Sequence, residues 1–195
     1  PHVDLADLLL QDGQTVEAIS EYQHALRLDD GNAAAQAGLA SALLVQGRSD
    51  EATAQARGAL RADPRNARAR NVLGAVLLSS GASDEALALL AEAVDDDPGY
   101  ADARANLAAA LLAKGRTDDA IVQAGEAIRL APHLTSAEAT LGMALARAGE
   151  QQAVLEDDSG QRLVVRRIEV HLAHPTEDGE RVIVLLSNVP ARTVS

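Results

Sequence analysis

The chain has 195 residues, 47% of them hydrophobic, yet no Phe or Trp and only two Tyr, so its core has to be built from Ala, Leu and Val packed at close range. Its 29 acidic residues outnumber 17 Lys and Arg, giving a net charge of −12. No nucleic-acid partner is expected from that balance, because binding phosphates depends on basic side chains displacing counterions. With no Cys in the sequence, disulfides, thiolate metal sites and thiol nucleophiles are excluded.

Glycines fall at Gly13, Gly47, Gly81, Gly115 and Gly149, 34 residues apart. The same interval carries Ala18, Ala52, Ala86 and Ala120, then Ala25, Ala59, Ala93 and Ala127, then Leu39, Leu73, Leu107 and Leu141. Pro64, Pro98 and Pro132 close three consecutive units. A fixed period of this kind marks stacked supersecondary units, each burying its apolar face on its neighbours.

In chain order, residues 1–32 read as a first repeat lacking its beginning and 33–66, 67–100 and 101–134 as full repeats. Residues 135–148 read as a lone closing helix, the whole forming a solenoid over 1–150. Within 67–100, Ala69, Leu73, Val76, Leu77 and Ser80 follow one helical stripe. Gly81 supplies the left-handed conformation that ends this first helix. Ser83 is placed to cap the second helix, with Asp84 and Glu85 in its positive first turn. Ala86, Leu90, Ala93 and Val94 form that helix's buried stripe, with Ala86 at the closest approach of the pair, and Pro98 ends it.

From Ala153 the helical period is lost. Residues 163–172 alternate β-branched and charged side chains as a strand, and Arg181 to Leu186 supply a second. Turn sequences at 157–160 and 175–179 complete a β-hairpin or three-stranded meander over 151–195. The longest early apolar run, Leu8 to Leu10, is far too short to span a bilayer. The sequence opens at Pro1 without an initiator Met and so reads as a processed or excised piece; the expected location is cytoplasmic, or periplasmic if a signal peptide has been removed.

Leu39-Ala40, Leu73-Gly74, Leu107-Ala108 and Leu141-Gly142 in the first helices, the Ala pairs of the second helices and the prolines together resemble the tetratricopeptide repeat family over residues 1 to about 150. The chain departs from that family where aromatic residues are frequent, with Gln36, Arg70, Arg104 and Glu138 early in the first helices and Ala56, Leu90 and Ala124 in the second. The resemblance implies an all-α, right-handed solenoid of stacked antiparallel helix pairs. Its concave groove, lined by first-helix residues, would take a peptide or helix of a protein partner. It places Ser41, Arg68, Asn71, Asp102, Asn106 and Met143 in the groove, with small Ala75, Ala105 and Ala109 leaving room for a partner. Asn71 and Ala105 are expected to face the groove and not the inter-helix core. Some family members clamp a C-terminal carboxylate, but Ala37, Ser41, Val72, Asp102 and Asn106 stand at the corresponding places, so that specificity is not expected.

Residues 166–172, 175–179 and 186–190 resemble the β-rich segment that precedes the catalytic Glu in insertion-sequence DDE transposases. No catalytic residue of that family maps onto this chain, so the resemblance implies an inert remnant or a fusion joint.

No Gly-x-Ser-x-Gly elbow, phosphate loop or dinucleotide fingerprint is present, and no catalytic residue or cofactor is expected. Asp95-Asp96-Asp97 lacks the spaced ligands and central Gly of a calcium loop and reads as a solvated helix end. His171 and His174, three apart on a strand, face opposite ways. His24 and His133 have no Cys or His near them in sequence. Arg57, Arg61, Arg65, Arg68 and Arg70 form the one basic concentration, read first as surface arginines paired with neighbouring acids and second as a carboxylate clamp. Three functions stand from this reading. One is a scaffolding module that binds proteins. The others are the docking arm of an enzyme whose catalytic domain lies elsewhere and a transposase-derived fragment.

Overall fold

The computed structural model describes residues 1–159, 169–171 and 182–184. The helices are α1 (His2–Gln11), α2 (Thr15–Leu28), α3 (Ala33–Val45), α4 (Ser49–Ala62), α5 (Ala67–Ser79), α6 (Ser83–Asp96), α7 (Ala101–Ala113), α8 (Thr117–Leu130) and α9 (Thr135–Ser159). They pair as α1–α2, α3–α4, α5–α6 and α7–α8, and each second helix packs on the first helix of the next unit.

The punctuation between helices is local chemistry. Gly13, Gly47, Gly81 and Gly115 adopt φ between +75° and +84°, where a Cβ would be strained. Asn32 and Asn66 cap α3 and α5, their side-chain oxygens accepting from the backbone N–H of Ala35 and Ala69. At the other helix ends Asp63, Asp97 and Ala131 take extended backbone conformations. Each precedes a proline, which disfavours the helical region for the residue before it.

Two expectations about helix ends are corrected. Ser83 does not cap α6: it is the first helical residue, Ala82 occupies the cap position, and no side chain caps it. Gly149 does not end the closing helix either, because α9 continues to Ser159, beyond both the predicted boundary at 148 and the loss of period at Ala153. A glycine in the body of a helix costs only about 1 kcal/mol, so the period alone does not force a stop there.

Alanine seams hold the pairs together. Ala18, Ala52, Ala86 and Ala120 are all fully buried, as are Ala59, Ala93 and Ala127. Side-chain volume is traded across each pair at one register. Where α4 and α8 carry Ala56 and Ala124, the partner helices carry Ala40 and Ala108. Where α6 carries Leu90, α5 carries Gly74, and a Cβ there would collide with the Leu90 side chain. Tyr22, at the same register as Ala56, lays its ring against Gly38 of the next helix, which likewise has no room for a Cβ.

At the register where the family often places an aromatic side chain, polar contacts take over. Gln36 donates to the Asp30 carbonyl at 2.9 Å. Arg70 pairs with Asp96 and with Glu92. Arg104 donates to the Pro98 carbonyl and to Gln123, each at 2.9 Å.

The core falls into two main clusters that meet at α5, one running from Ala6 to Val72 and the other from Ala86 to Ala144. Beyond α9, the described residues include β1 (Glu169–His171) and β2 (Val182–Val184), antiparallel with Val170 opposite Ile183. His174 and the remaining residues of the predicted meander and of the transposase-like resemblance lie outside the described residues. No described helix is long and apolar enough to cross a membrane.

Candidate functional site

The odd-numbered helices also pack on one another in succession, α1 on α3, α3 on α5, α5 on α7 and α7 on α9, whereas no such packing joins successive even-numbered helices. The row of elements that stands closer together is the inside of the curve, so the first helices form the concave face.

The part of that face nearest the N-terminus is crossed by a polar network centred on Arg68. Its guanidinium donates from Nη1 to Asp7 Oδ1 at 2.5 Å, from Nη2 to the Tyr22 hydroxyl at 3.0 Å and from Nε to Ser41 Oγ at 3.0 Å. It also lies 5.7 Å from the centre of the Tyr22 ring. The Tyr22 hydroxyl donates to the same Asp7 oxygen at 2.6 Å. Burial alone would lower the Arg68 pKa, but the Asp7 hydrogen bond and the charges of Tyr22, Asp7 and Tyr100 outweigh it and the net shift is upward. Burial, then the hydrogen bond to Asp7, push the Tyr22 phenol well above its ordinary range.

A second network follows on α5 and α7. Asn71 donates to the Tyr100 hydroxyl at 3.3 Å and accepts from Asn106 Nδ2 at 2.8 Å. Desolvation is the main reason the Tyr100 phenol is pushed up to about 12. Asp102 is exposed but stands beside the concave wall, and its carboxyl is raised chiefly by desolvation, with Arg68 pulling it down.

The predicted groove residues therefore divide. Asp102 and Met143 are exposed, while Ser41, Arg68, Ala75, Asn106 and Ala109 are half-buried. Asn71 is 6% exposed and Ala105 3%, so the expectation that both face the groove is corrected. Asn71 lies beneath the Tyr100 and Asn106 side chains, and Ala105 packs with Ala127 and Ala137 of α8 and α9. Sequence reasoning missed Asp7, Tyr22 and Tyr100. Asp7 shares its register with Ser41, Ala75, Ala109 and Met143, and Tyr22 with Ala56, Leu90 and Ala124, so extending the 34-residue period into the incomplete first repeat identifies both.

Of the basic concentration, Arg65 and Arg70 both reach Asp96, the former at 2.8 Å, and Arg68 reaches Asp7. Asp96 is thus held between two guanidiniums and is not part of a solvated helix end. Asp97 accepts from the Gly99 N–H at 3.0 Å and Asp95 is exposed. His24 does have a histidine neighbour that sequence spacing hides, since its ring stacks on His2 with centroids 4.2 Å apart. Among the described residues no group of three or more His, Asp or Glu is placed to hold a metal ion. On the opposite side, a hollow of about 220 Å³ opens between α6 and α8, with Leu107 and Leu111 of α7 as its floor.

Two family profiles described as tetratricopeptide repeat match the chain, one over residues 3–67 and 38–101 and the other over 77–133. No protein in the curated set matches it significantly. Among solved structures, YrrB, described as a tetratricopeptide-repeat protein with an unusual peptide-binding site, is 28% identical at a TM-score of 0.54, with 80% of each chain covered. PilF of Pseudomonas aeruginosa is 28% identical at a TM-score of 0.61, covering 76% of this chain and 68% of its own. A thermophilic tetratricopeptide-repeat protein of Thermus thermophilus, 22% identical at a TM-score of 0.62 over 80% of this chain and 91% of its own, shares the fold. With profile matches running from residue 3 to residue 133 on helices that keep the 34-residue register, the chain belongs to the tetratricopeptide repeat family.

Proposed function

We propose that the chain is a non-enzymatic interaction module that takes an extended or helical segment of a partner protein on the inner face of α5, α7 and α9 and so scaffolds a complex. The observation that carries this reading is the change in the inner face at α5. Before it, Arg68 and its partners fill the concavity. After it, Ala75 and Ala109 leave space between Asp102, Asn106 and the 57%-exposed Met143. Met is an adaptable side chain for packing against varied surfaces, and the two polar groups offer an acceptor and an amide for a partner's backbone. The peptide-binding site named for YrrB supports the same reading by similarity.

The test begins with a pull-down and mass spectrometry to obtain the partner, followed by calorimetry with single variants. Ala109→Arg should abolish binding with helical circular dichroism unchanged. Val122→Arg, at an exposed position of α8 on the outer side, should leave binding intact. The opposite pattern would move the site to the outer face and overturn the proposal.

A further inference from the structure

The geometry points to a second copy of this chain as the partner of the outer face: α4 of each copy lies on α6 of the other about a two-fold axis, with Arg61 opposite the partner's Asp95. This surface is on the far side of the molecule from the proposed groove and does not depend on it.

The outer face carries one register of charge that changes sign at a single helix. Residues 27, 61, 95 and 129 stand 34 apart in the last turns of α2, α4, α6 and α8, and they are Arg, Arg, Asp and Arg. Three of the four obey the helix dipole, whose negative end favours cations. Of these helices only α6 has no basic residue in its last turn. It places Asp95 there, with Glu92 just before it, and an acid at that end is unfavourable unless a cation meets it. Arg70 meets Glu92 at 3.3 Å. Asp95 is exposed and has no ion pair among the described residues. On α4, Arg57 and Arg61 lie four residues apart, both exposed, and they have none either. Thus an acid on α6 and two guanidiniums on α4 stand without partners on neighbouring outer helices, both packed on α5.

A copy of the chain is the occupant that satisfies both signs at once. A two-fold axis parallel to the second helices and midway between α4 and α6 exchanges the two helices and keeps each residue's height. Arg61 then faces the partner's Asp95, and Arg57 faces the partner's Ala91 within reach of the partner's Glu92. Ala54 faces the partner's Ala88, both exposed and small enough to let the helices approach. Every pair occurs twice. Glu51 meets the partner's Glu85, a like-charge contact that Arg48, 2.6 Å from Glu51, offsets. An acidic peptide would satisfy the arginines and leave Asp95 unmet, and a basic peptide would do the reverse. Because the second helices form the convex side, two copies touch over few residues, so the dimer is weak and sensitive to salt.

Sedimentation equilibrium of the full chain reads the association, at loading concentrations from about 10 μM to about 1 mM. The wild type is expected to show a monomer–dimer equilibrium that shifts toward monomer as salt is raised. Asp95→Arg and Arg61→Asp should each weaken dimerisation roughly tenfold or more, since each turns two attractive pairs into two repulsive ones. An equimolar mixture of the two variants should dimerise again, because each supplies the charge the other lacks. The double variant should recover the wild-type constant within about threefold. Circular dichroism is expected to be unchanged, and the mixture separates a lost contact from a lost fold, since both chains in it carry their substitutions. A wild type that stays monomeric, single reversals without effect, a mixture that fails to associate, or species larger than a dimer would each overturn the inference. So would a monomer that binds hexaglutamate through Arg57 and Arg61, or hexalysine through Asp95, which would assign the face to another partner. Ala109→Arg, on the inner face, should leave the dimer constant unchanged, so failure here is distinguishable from failure of the groove reading.

Discussion

The two halves of the concave face are built on one register and finished differently. At the position shared by Asp7, Ser41, Ala75, Ala109 and Met143, the first two side chains are polar and engaged with Arg68, and the last three are small or apolar and leave room. A repeat array can thus close one stretch of its groove and open the next through side chains alone. The helices α3, α5 and α7 that carry these positions are each 13 residues long.

The sharpest way to break this contrast is Gly38→Ala. The added methyl would collide with the Tyr22 ring, which is fully buried and cannot swing aside without giving up its bonds to Asp7 and Arg68. A loss of about 2–3 kcal/mol is expected in urea denaturation, together with loss of the Arg68 side-chain resonance pattern.

A smaller effect comes from pH. Both phenols are raised in the folded chain, Tyr100 to about 12, against an ordinary value of 10.0. In this range the unfolded chain releases phenol protons first, so the stabilisation is complete below about pH 10 and is lost as pH rises toward 12. Thermal melts should fall by a few degrees over that window, and Tyr100→Phe should make the fall shallower.

Next, Arg68→Met removes the hub of the closed half and is expected to cost about 1–2 kcal/mol after allowance for its partial exposure. Asp102→Asn in the open half should stay within about 0.5 kcal/mol, so similar losses would erase the distinction between the halves. One change of modest size runs the other way. Gly125 lies within α8 with open space where a Cβ would go, and Gly125→Ala should stabilise by about 0.5–1 kcal/mol.

The helix pairs, their turns and the alanine seams were all legible in the sequence, because a 34-residue period repeats each signal several times. What the period could not supply was depth. The family resemblance placed Asn71 and Ala105 on the inner face, but Ala105 is covered by Ala127 and Ala137 of α8 and α9. Pairings between side chains far apart in sequence were also hidden. Arg68 and Asp7 are separated by 61 positions, and nothing local to either residue names the other. The replacement of aromatic packing by Gln36, Arg70 and Arg104 was visible as a departure, while the acids and carbonyls they would reach were not.

The alanine seams have one further consequence, for entropy. An alanine side chain has no rotamers to lose, so Ala18, Ala52, Ala86 and Ala120 are fixed in the folded chain at no side-chain entropic cost. Each also buries little area, so no single contact contributes much to stability. Such a protein gains robustness by length more than by core chemistry, since each repeat adds another low-cost seam to the stack.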